Sequence, residues 1–306
     1  MATERWNIGD VTVTKVDEVA HWMPLEWLGD ALPGSTRAEI EEIDWLRPVY
    51  VKDGQINMSV HALLVETPEK KLVIDTGIGN GKKRAMEMFD MLDTDFLERF
   101  EKVWSPTEVD GVVCTHLHVD HVGWNTRLVD GAWVPTFPNA EYFFVRHEFD
   151  HWKAYAEARS GGAGSGDGYT EWAHDMVDGV AVYEDSVRPI ADAGLITFTE
   201  AGGHITSEVS LIDTSGHTPG HVAVLIESQG ESAVITGDLM HAPCQVGRPD
   251  WSASLDSDQK ASAKTRRAFL ERFADTSTLV IGTHFGTPSA GRIQHHGDSF
   301  RIIPEQ

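Results

Sequence analysis

The sequence predicts an α/β or α+β chain of two sheets covered by outer helices. Strand-like segments fall in two groups, one within residues 11–145 and one within 195–282. Segments of helical spacing follow each group, which suits two sheets with helices outside them. The composition, 41% hydrophobic and 24% charged over 306 residues, is that of a globular chain able to bury a full core. At about 150 residues per domain the length allows two domains, but single α/β domains of this size are common.

Residues 11–16 (VTVTKV) alternate apolar and polar and read as a strand. Residues 20–48 are irregular and rich in Trp and Pro, which reads as a long N-terminal arm. Residues 57–66 and 71–75 are two strands around the turn Thr67-Pro68-Glu69-Lys70. Residues 82–103 carry Met, Phe and Leu at helical spacing, and 110–115 is a short apolar strand. Then come a strand at 140–145, a helix at 147–158, a Gly-rich flexible loop at 160–168 and a mostly helical stretch at 170–193. Strands return at 195–199, 209–213, 222–227 and 233–236, followed by an amphipathic helix at 257–274 and a last strand at 278–282.

Charge and composition exclude several classes. There are 25 Lys and Arg against 48 Asp and Glu, a net charge of −23, which repels phosphate backbones and speaks against nucleic acid as a partner. Two cysteines, Cys114 and Cys244, cannot build a disulfide framework or a four-cysteine zinc site. No apolar run approaches the roughly 18 residues of a membrane span, and residues 1–10 lack the apolar stretch of a secretion signal. The expectation is a soluble cytoplasmic protein with no membrane partner.

The chemistry is concentrated in Thr115-His116-Leu117-His118-Val119-Asp120-His121, directly after an apolar strand. Neutral imidazoles and carboxylates are ligands for Zn²⁺ and similar ions. In an extended stretch 116 and 118 point the same way and can pinch one ion. A turn at 119–121 would aim Asp120 and His121 at a second point nearby, so four donors in six residues suit two neighbouring ions. Further donors sit just after strands: His217 after 209–213, Asp238 after 233–236 and His284 after 278–282. Strand-end loops on a rigid scaffold are where sites collect.

With these motifs the chain resembles the metallo-β-lactamase superfamily. Asp75-Thr76-Gly77, the His116–His121 run, Gly216-His217, Gly237-Asp238 and Thr283-His284 occur in family order. The resemblance implies a single α+β domain over 1–306, a four-layer αβ/βα sandwich with the arm at 20–48 and a helical insert at about 147–193. It implies that His116, His118 and His217 hold one metal and Asp120, His121 and His284 a second. Asp238 would bridge both, with a hydroxide between the ions, which makes Asp120 and Asp238 the candidate catalytic residues. Asp75 would orient a ligand imidazole rather than bind metal. His221 is expected to support the site and His241 to line the pocket, whereas His147, His151, His174, His204, His295 and His296 read as ordinary surface or helix histidines.

The aspartate at 238, absent from most β-lactamases of this fold, points away from β-lactams. The motif His118-Val119-Asp120-His121-Val122-Gly123 and the segment Gly237–His241 look closest to the N-acyl homoserine lactonase and methyl parathion hydrolase group. The function implied is a dinuclear hydrolase opening a lactone or another carboxylic ester. The alternatives are a phosphotriesterase for aryl organophosphates, an iron-dependent thiol-oxidising enzyme or a non-catalytic metal-binding protein. Zinc is the expected ion, but such donors also accept Mn, Fe and Co. Lactonases of this group often carry a tyrosine that polarises the carbonyl; Tyr142, Tyr155, Tyr169 and Tyr183 are candidates, none in a matching motif. Trp124 and Phe285, next to ligand motifs, are expected in the pocket, with Trp22, Met23, Trp27, Trp152 and Trp172 as weaker candidates. The Trp- and Leu-bearing arm predicts a homodimer to cover it.

Overall fold

A single antiparallel strand of 14 residues, β2 (Val11–Pro24), forms the spine of the first sheet. The computed structural model describes residues 4–160 and 171–305. In chain order the first eight-stranded sheet contains β1 (Arg5–Ile8), β2, β3 (Val51–Lys52), β4 (Gln55–Glu66), β5 (Lys71–Ile74) and β6 (Gly111–Val113). A separate hairpin, β7 (Thr126–Val129) and β8 (Ala132–Pro135), intervenes before β9 (Glu141–Val145) and β10 (Ile196–Thr199) complete it. The second, six-stranded sheet runs β11 (Val209–Asp213), β12 (Val222–Ser228), β13 (Glu231–Ile235), β14 (Leu279–Ile281), β15 (Ala290–His296) and β16 (Ser299–Pro304).

The inner faces of the two sheets pack directly together. Val13, Val65, Ile74 and Val113 of one meet Val224, Ile226, Ile235 and Ile281 of the other. Outside the first sheet, Val73, Val112, Tyr142 and Phe144 carry α3 (Phe96–Glu101), α4 (Arg146–Ser160) and the segments that follow α4. Outside the second, Leu225, Val234, Val280 and Ile302 carry α1 (Leu25–Ala31) and α9 (Gln259–Phe273). The layers are therefore helix, sheet, sheet, helix, as the resemblance implies. β5, β6, β9 and β10 are parallel and largely covered on both faces, which explains their unbroken apolar runs. β13 and β14 are also parallel, so the residues following β5, β6, β13 and β14 gather along one edge.

The arm is not an arm. Residues 20–24 continue β2, and α1 and α2 (Arg37–Glu41) follow, the latter started by a Thr36/Glu39 capping box. Leu25, Leu28, Leu32, Ile40 and Leu46 are buried on the second sheet. The leucines expected to seek a partner copy are thus satisfied within the chain. Trp22 stays 41% exposed, beside Met88 and Met91 as other exposed apolar side chains.

Residues 82–103 are not one helix. A 3-10 turn at Glu87–Phe89 precedes α3, and the loop is tied off where Asn80 Oδ1 accepts from Thr94 N at 2.9 Å. Buried charges hold this loop instead: Arg84 makes a two-bond contact of 2.6 and 2.9 Å to Asp185, and Lys82 donates to Thr126 Oγ1 at 2.8 Å. Two hairpins, β7–β8 and β15–β16, escape the sequence reading. Their turns, Asp130-Gly131 and Gly297-Asp298, carry the positive-φ residues that short hairpins need. The helical insert is present as α4, α5 (Glu171–Val177), α6 (Gly179–Val182), a π turn at Tyr183–Val187 and α7 (Arg188–Asp192). Residues 161–168 of the Gly-rich loop, Tyr169 and the side chain of Trp172 lie outside the described residues. Among the described residues no helix is long and apolar enough to cross a membrane.

Candidate metal centre

The loop after β6 is shaped by the residue that ends β5. Asp75 sits at φ +55°, and its Oδ1 accepts from Thr115 N while its Oδ2 accepts from Thr115 Oγ1, each at 2.8 Å. The same Oδ2 lies 2.9 Å from His121 Nδ1. The turn expected at 119–121 is present: His121 N donates to His118 O at 3.2 Å. Asp75 thus holds both ends of the His116–His121 run and fixes the tautomer of one imidazole.

Donor atoms then collect into two groups that could each hold an ion: His116, His118, His217 and Asp238, and Asp120, His121 and His284. Asp238 lies between them. Its Oδ2 faces His217 Nε2 at 3.5 Å and His116 Nε2 at 3.8 Å, and its Oδ1 faces His284 Nε2 at 3.0 Å and His121 Nε2 at 3.2 Å. Asp120 reaches His284 and His121 at 3.5 Å each. His118 Nδ1 and His217 Nε2 approach to 3.0 Å. His116 Nε2 and Asp238 Oδ1 are buried with no hydrogen-bond partner. Buried donors aimed at one another and left unsatisfied are costly by themselves, and cations between them remove that cost. The residues fit a pair of divalent ions.

Electrostatics divides the two groups. Burial and neighbouring imidazoles push His116 and His118 well below the ordinary histidine value. Burial also opposes charge on His284, but Asp238 and Asp120 outweigh it and lift the residue to about 9. Burial would raise Asp238, yet His121 and His284 hold it well below the usual carboxylate range. An ionised carboxylate at the centre is ready to bind cations without losing a proton.

The donors are held from behind. Asp256 Oδ1 lies 2.8 Å from His217 Nδ1, with the buried Arg266 3.7 Å from its other oxygen. His284 Nδ1 donates to Ser59 O at 3.1 Å. His221, as expected, supports rather than joins the clusters: its Nε2 accepts from Asp238 N at 2.8 Å, while its Nδ1 contacts Thr214 Oγ1 at 2.8 Å. Gly237, at φ +54°, makes that approach possible, because a Cβ there would fall 2.5 Å from His221 Nε2. Glu148, in the first turn of α4, accepts from Leu117 N at 3.1 Å and Gly220 N at 2.9 Å, so the insert grips both histidine loops. Trp152, one turn on, packs edge-on against His118 at 5.2 Å. Sequence reasoning missed Asp256, Glu148 and Ser59, for which no motif or spacing gives a signal.

Beside the clusters opens a cavity of about 520 Å³. One wall is Trp22, Met23, Trp27 and Leu28; another is Ile78, Met88 and Phe89; Met176 and Val177 of α5 form a third. Asp120, Asp238, His118, His241 and His284 form its polar end. The lining includes neither Trp124 nor Phe285, which corrects the expectation for both. Trp124 is buried, stacked on Phe96 at 5.4 Å, and donates its Nε1–H to Glu18 at 2.7 Å. Phe285 is fully buried against Tyr50. Both follow ligand motifs closely in sequence, but the chain turns them into the core. No tyrosine is among the lining residues described; Tyr142 donates to Asn125 O at 3.1 Å inside the core. Cys114 and Cys244 are free and buried, and burial pushes the Cys244 thiol up to about 12.

Comparison with known proteins agrees with this geometry. The family model described as metallo-beta-lactamase superfamily matches residues 57–299. The chain belongs to this superfamily. An N-acyl homoserine lactonase of a Bacillus species is 22% identical over 193 residues, which are 59% of this chain and 63% of that protein. The chain therefore spans less than two thirds of the length of that curated relative. The superfamily fold is matched by a solved structure of AidC, a dizinc quorum-quenching lactonase with a product bound, at 24% identity and TM-score 0.76, covering 99% of this chain and 97% of that one. The hydrolase AbOPH is similar at 24% identity and TM-score 0.80, again over 99% of this chain and 97% of that one.

Proposed function

We propose that the chain is a dinuclear metallohydrolase that opens lactones or cleaves other carboxylic esters. The observation that carries this is Asp238, with one carboxylate oxygen turned to each donor cluster. In this reading His116, His118 and His217 would hold one ion and Asp120, His121 and His284 the other, with the Asp238 carboxylate shared between the two clusters. Divalent ions held there, zinc foremost, would supply a nucleophile at neutral pH and polarise the carbonyl under attack. Asp75, Asp256 and the Ser59 carbonyl orient the ligand imidazoles. The methionine- and tryptophan-lined cavity takes the acyl or alkyl part of the substrate and keeps water from it. The lactonases among the similar proteins support the choice of substrate class.

Proton release in a pH-stat, on short and long acyl homoserine lactones with a chelated control, tests this reading. Chelator-sensitive acid release is expected, with a chain-length trend that sizes the cavity. Release on aryl phosphotriesters but on no lactone or ester would move the substrate class. No release on any of these from protein carrying two ions would overturn the hydrolase. A homodimer is proposed with it, now resting on Trp22, Met88 and Met91 alone; a monomeric mass by light scattering at micromolar protein would refute it.

A further inference from the structure

Among the described residues two glutamates are buried: Glu18, in the bulge of β2, and Glu148, in the first turn of α4. They are far apart in sequence, yet their carboxylates are bonded in one pattern. Glu18 Oε1 accepts from Gly79 N at 3.0 Å and from the Trp124 indole at 2.7 Å, and its Oε2 accepts from Ile78 N at 2.6 Å. Glu148 Oε1 accepts from Leu117 N at 3.1 Å and from the Trp152 indole at 2.7 Å, and its Oε2 accepts from Gly220 N at 2.9 Å. A glycine closes each arrangement. A Cβ on Gly77, at φ +67°, would strike Glu18 Oε2, and one on Gly220 would fall 2.6 Å from Glu148 Cβ.

Each glutamate is tied to the loops of one donor cluster. Leu117 stands between His116 and His118, and Gly220 follows His217 by three residues, so the bonds of Glu148 end on the two loops that carry the first cluster. Trp124 follows His121 by three residues. The strip that Glu18 holds backs the same segment: Thr76 N donates to His121 O at 2.7 Å, Gly123 N to Gly77 O at 2.7 Å and Trp124 N to Thr76 O at 3.0 Å. Glu18 is thus fastened to the chain that carries Asp120 and His121. All six partners are N–H donors, and an ionised carboxylate is acceptor-only. An amide of the same shape would turn its NH₂ against one of those donors and leave it buried and unbonded.

We propose that Glu18 and Glu148 are positioning residues, one for each donor cluster: Glu148 fixes the ligands of the first ion and Glu18 those of the second, so the two affinities are set separately. The inference rests on the two-ion reading of the centre and not on the choice of substrate. Partners behind a ligand typically carry about 10–100-fold of metal affinity, and here that factor is divided between two carboxylates.

The test isolates each cluster. His284→Ala leaves the first cluster whole, and His118→Ala leaves the second whole. Glu18→Gln and Glu148→Gln are placed in each background, and Zn²⁺ is titrated against a chromogenic chelator, with folding followed by circular dichroism. The expected pattern is crossed. Glu148→Gln lowers zinc affinity at least tenfold in His284→Ala and leaves it unchanged in His118→Ala, and Glu18→Gln does the reverse. Should a glutamine variant not fold, Trp152→Phe and Trp124→Phe, which remove one donor and keep the carboxylate, give the same crossed pattern with smaller losses. Equal losses at both clusters would overturn the proposal, since a general loosening of the fold acts on both alike. Unchanged affinity at both would overturn it as well. A wild type that binds at most one Zn²⁺ in the same titration would instead remove the two-ion reading beneath it.

Discussion

Along the edge where the sheets meet, seven residues offer donor atoms that could hold metal ions, and each sits in a connection that follows a strand. A few ångström away, the cavity wall is assembled from the continuous end of β2 and α1, the loop around Met88, and α5, three stretches far apart in sequence. The donors at the edge are clamped by buried polar partners, among them Asp75, Asp256 and the Ser59 carbonyl. The wall is held by apolar packing and is rich in methionine, a flexible side chain that adapts to irregular shapes. The contrast predicts a rigid centre that fixes the chemistry and a pliant wall that selects among substrates.

Substitutions at the edge should be felt first and most. Asp238→Ala removes the carboxylate shared by both clusters, so at least one ion is lost and turnover falls about a thousandfold or more, on the several kcal/mol that such ions contribute. Metal analysis beside kcat/KM checks this, and full metal with wild-type turnover would end the bridging assignment. Next come the clamps. Asp256→Asn and Asp75→Asn leave every ligand in place but loosen an imidazole, and metal affinity should drop about 10–100-fold in a competition titration with a chelator. Equal affinity in all three proteins would mean that the rigid edge does not depend on its backing.

The wall should respond differently. Trp27→Ala and Met176→Ala expose apolar surface that a long acyl chain would cover, so KM for a long-chain lactone should rise about tenfold. Values for a short-chain lactone and the metal content should stay as they are. A matching fall in kcat for both substrates would show that wall and edge are not separable.

The smallest effect lies where the two regions join. Glu18 occupies a bulge in β2 and accepts from Ile78 N at 2.6 Å, Gly79 N at 3.0 Å and the Trp124 indole. Burial raises its pKa from 4.5 to about 7, against the pull of those hydrogen bonds. A carboxyl raised on folding binds more protons folded than unfolded between those values. Its contribution to stability is therefore complete below about pH 4.5 and lost as pH rises through about 7. In chelated protein, the stability of Glu18→Gln relative to wild type should improve across that window. Parallel denaturation curves at all pH values would refute it.

Asp75 and His221 show how far motif reading reaches. Asp75 was legible as a support through the family resemblance that its Asp75-Thr76-Gly77 motif carries, and His221 through its place four residues past His217. Asp256 and Glu148 do the same work from distant segments, and nothing in their surroundings marks them. Trp124 and Phe285 show the opposite error: nearness in sequence to a ligand says nothing about which way a side chain leaves the backbone.

The sequence by itself determined the two sheets with outer helices and most strands, because strand periodicity is a local property, and through its family motifs it pointed to the seven residues that the fold gathers into two candidate donor clusters. It also carried the signals of the hairpin turns in Asp130-Gly131 and Gly297. The tertiary structure alone decided that the arm is a wall of the cavity, that Asp238 faces both clusters, and that His241 stands beside Asp238 in the cavity lining. Those facts depend on which surfaces meet when two sheets close on one another, and long-range packing of that kind leaves no period or spacing in the chain to be read.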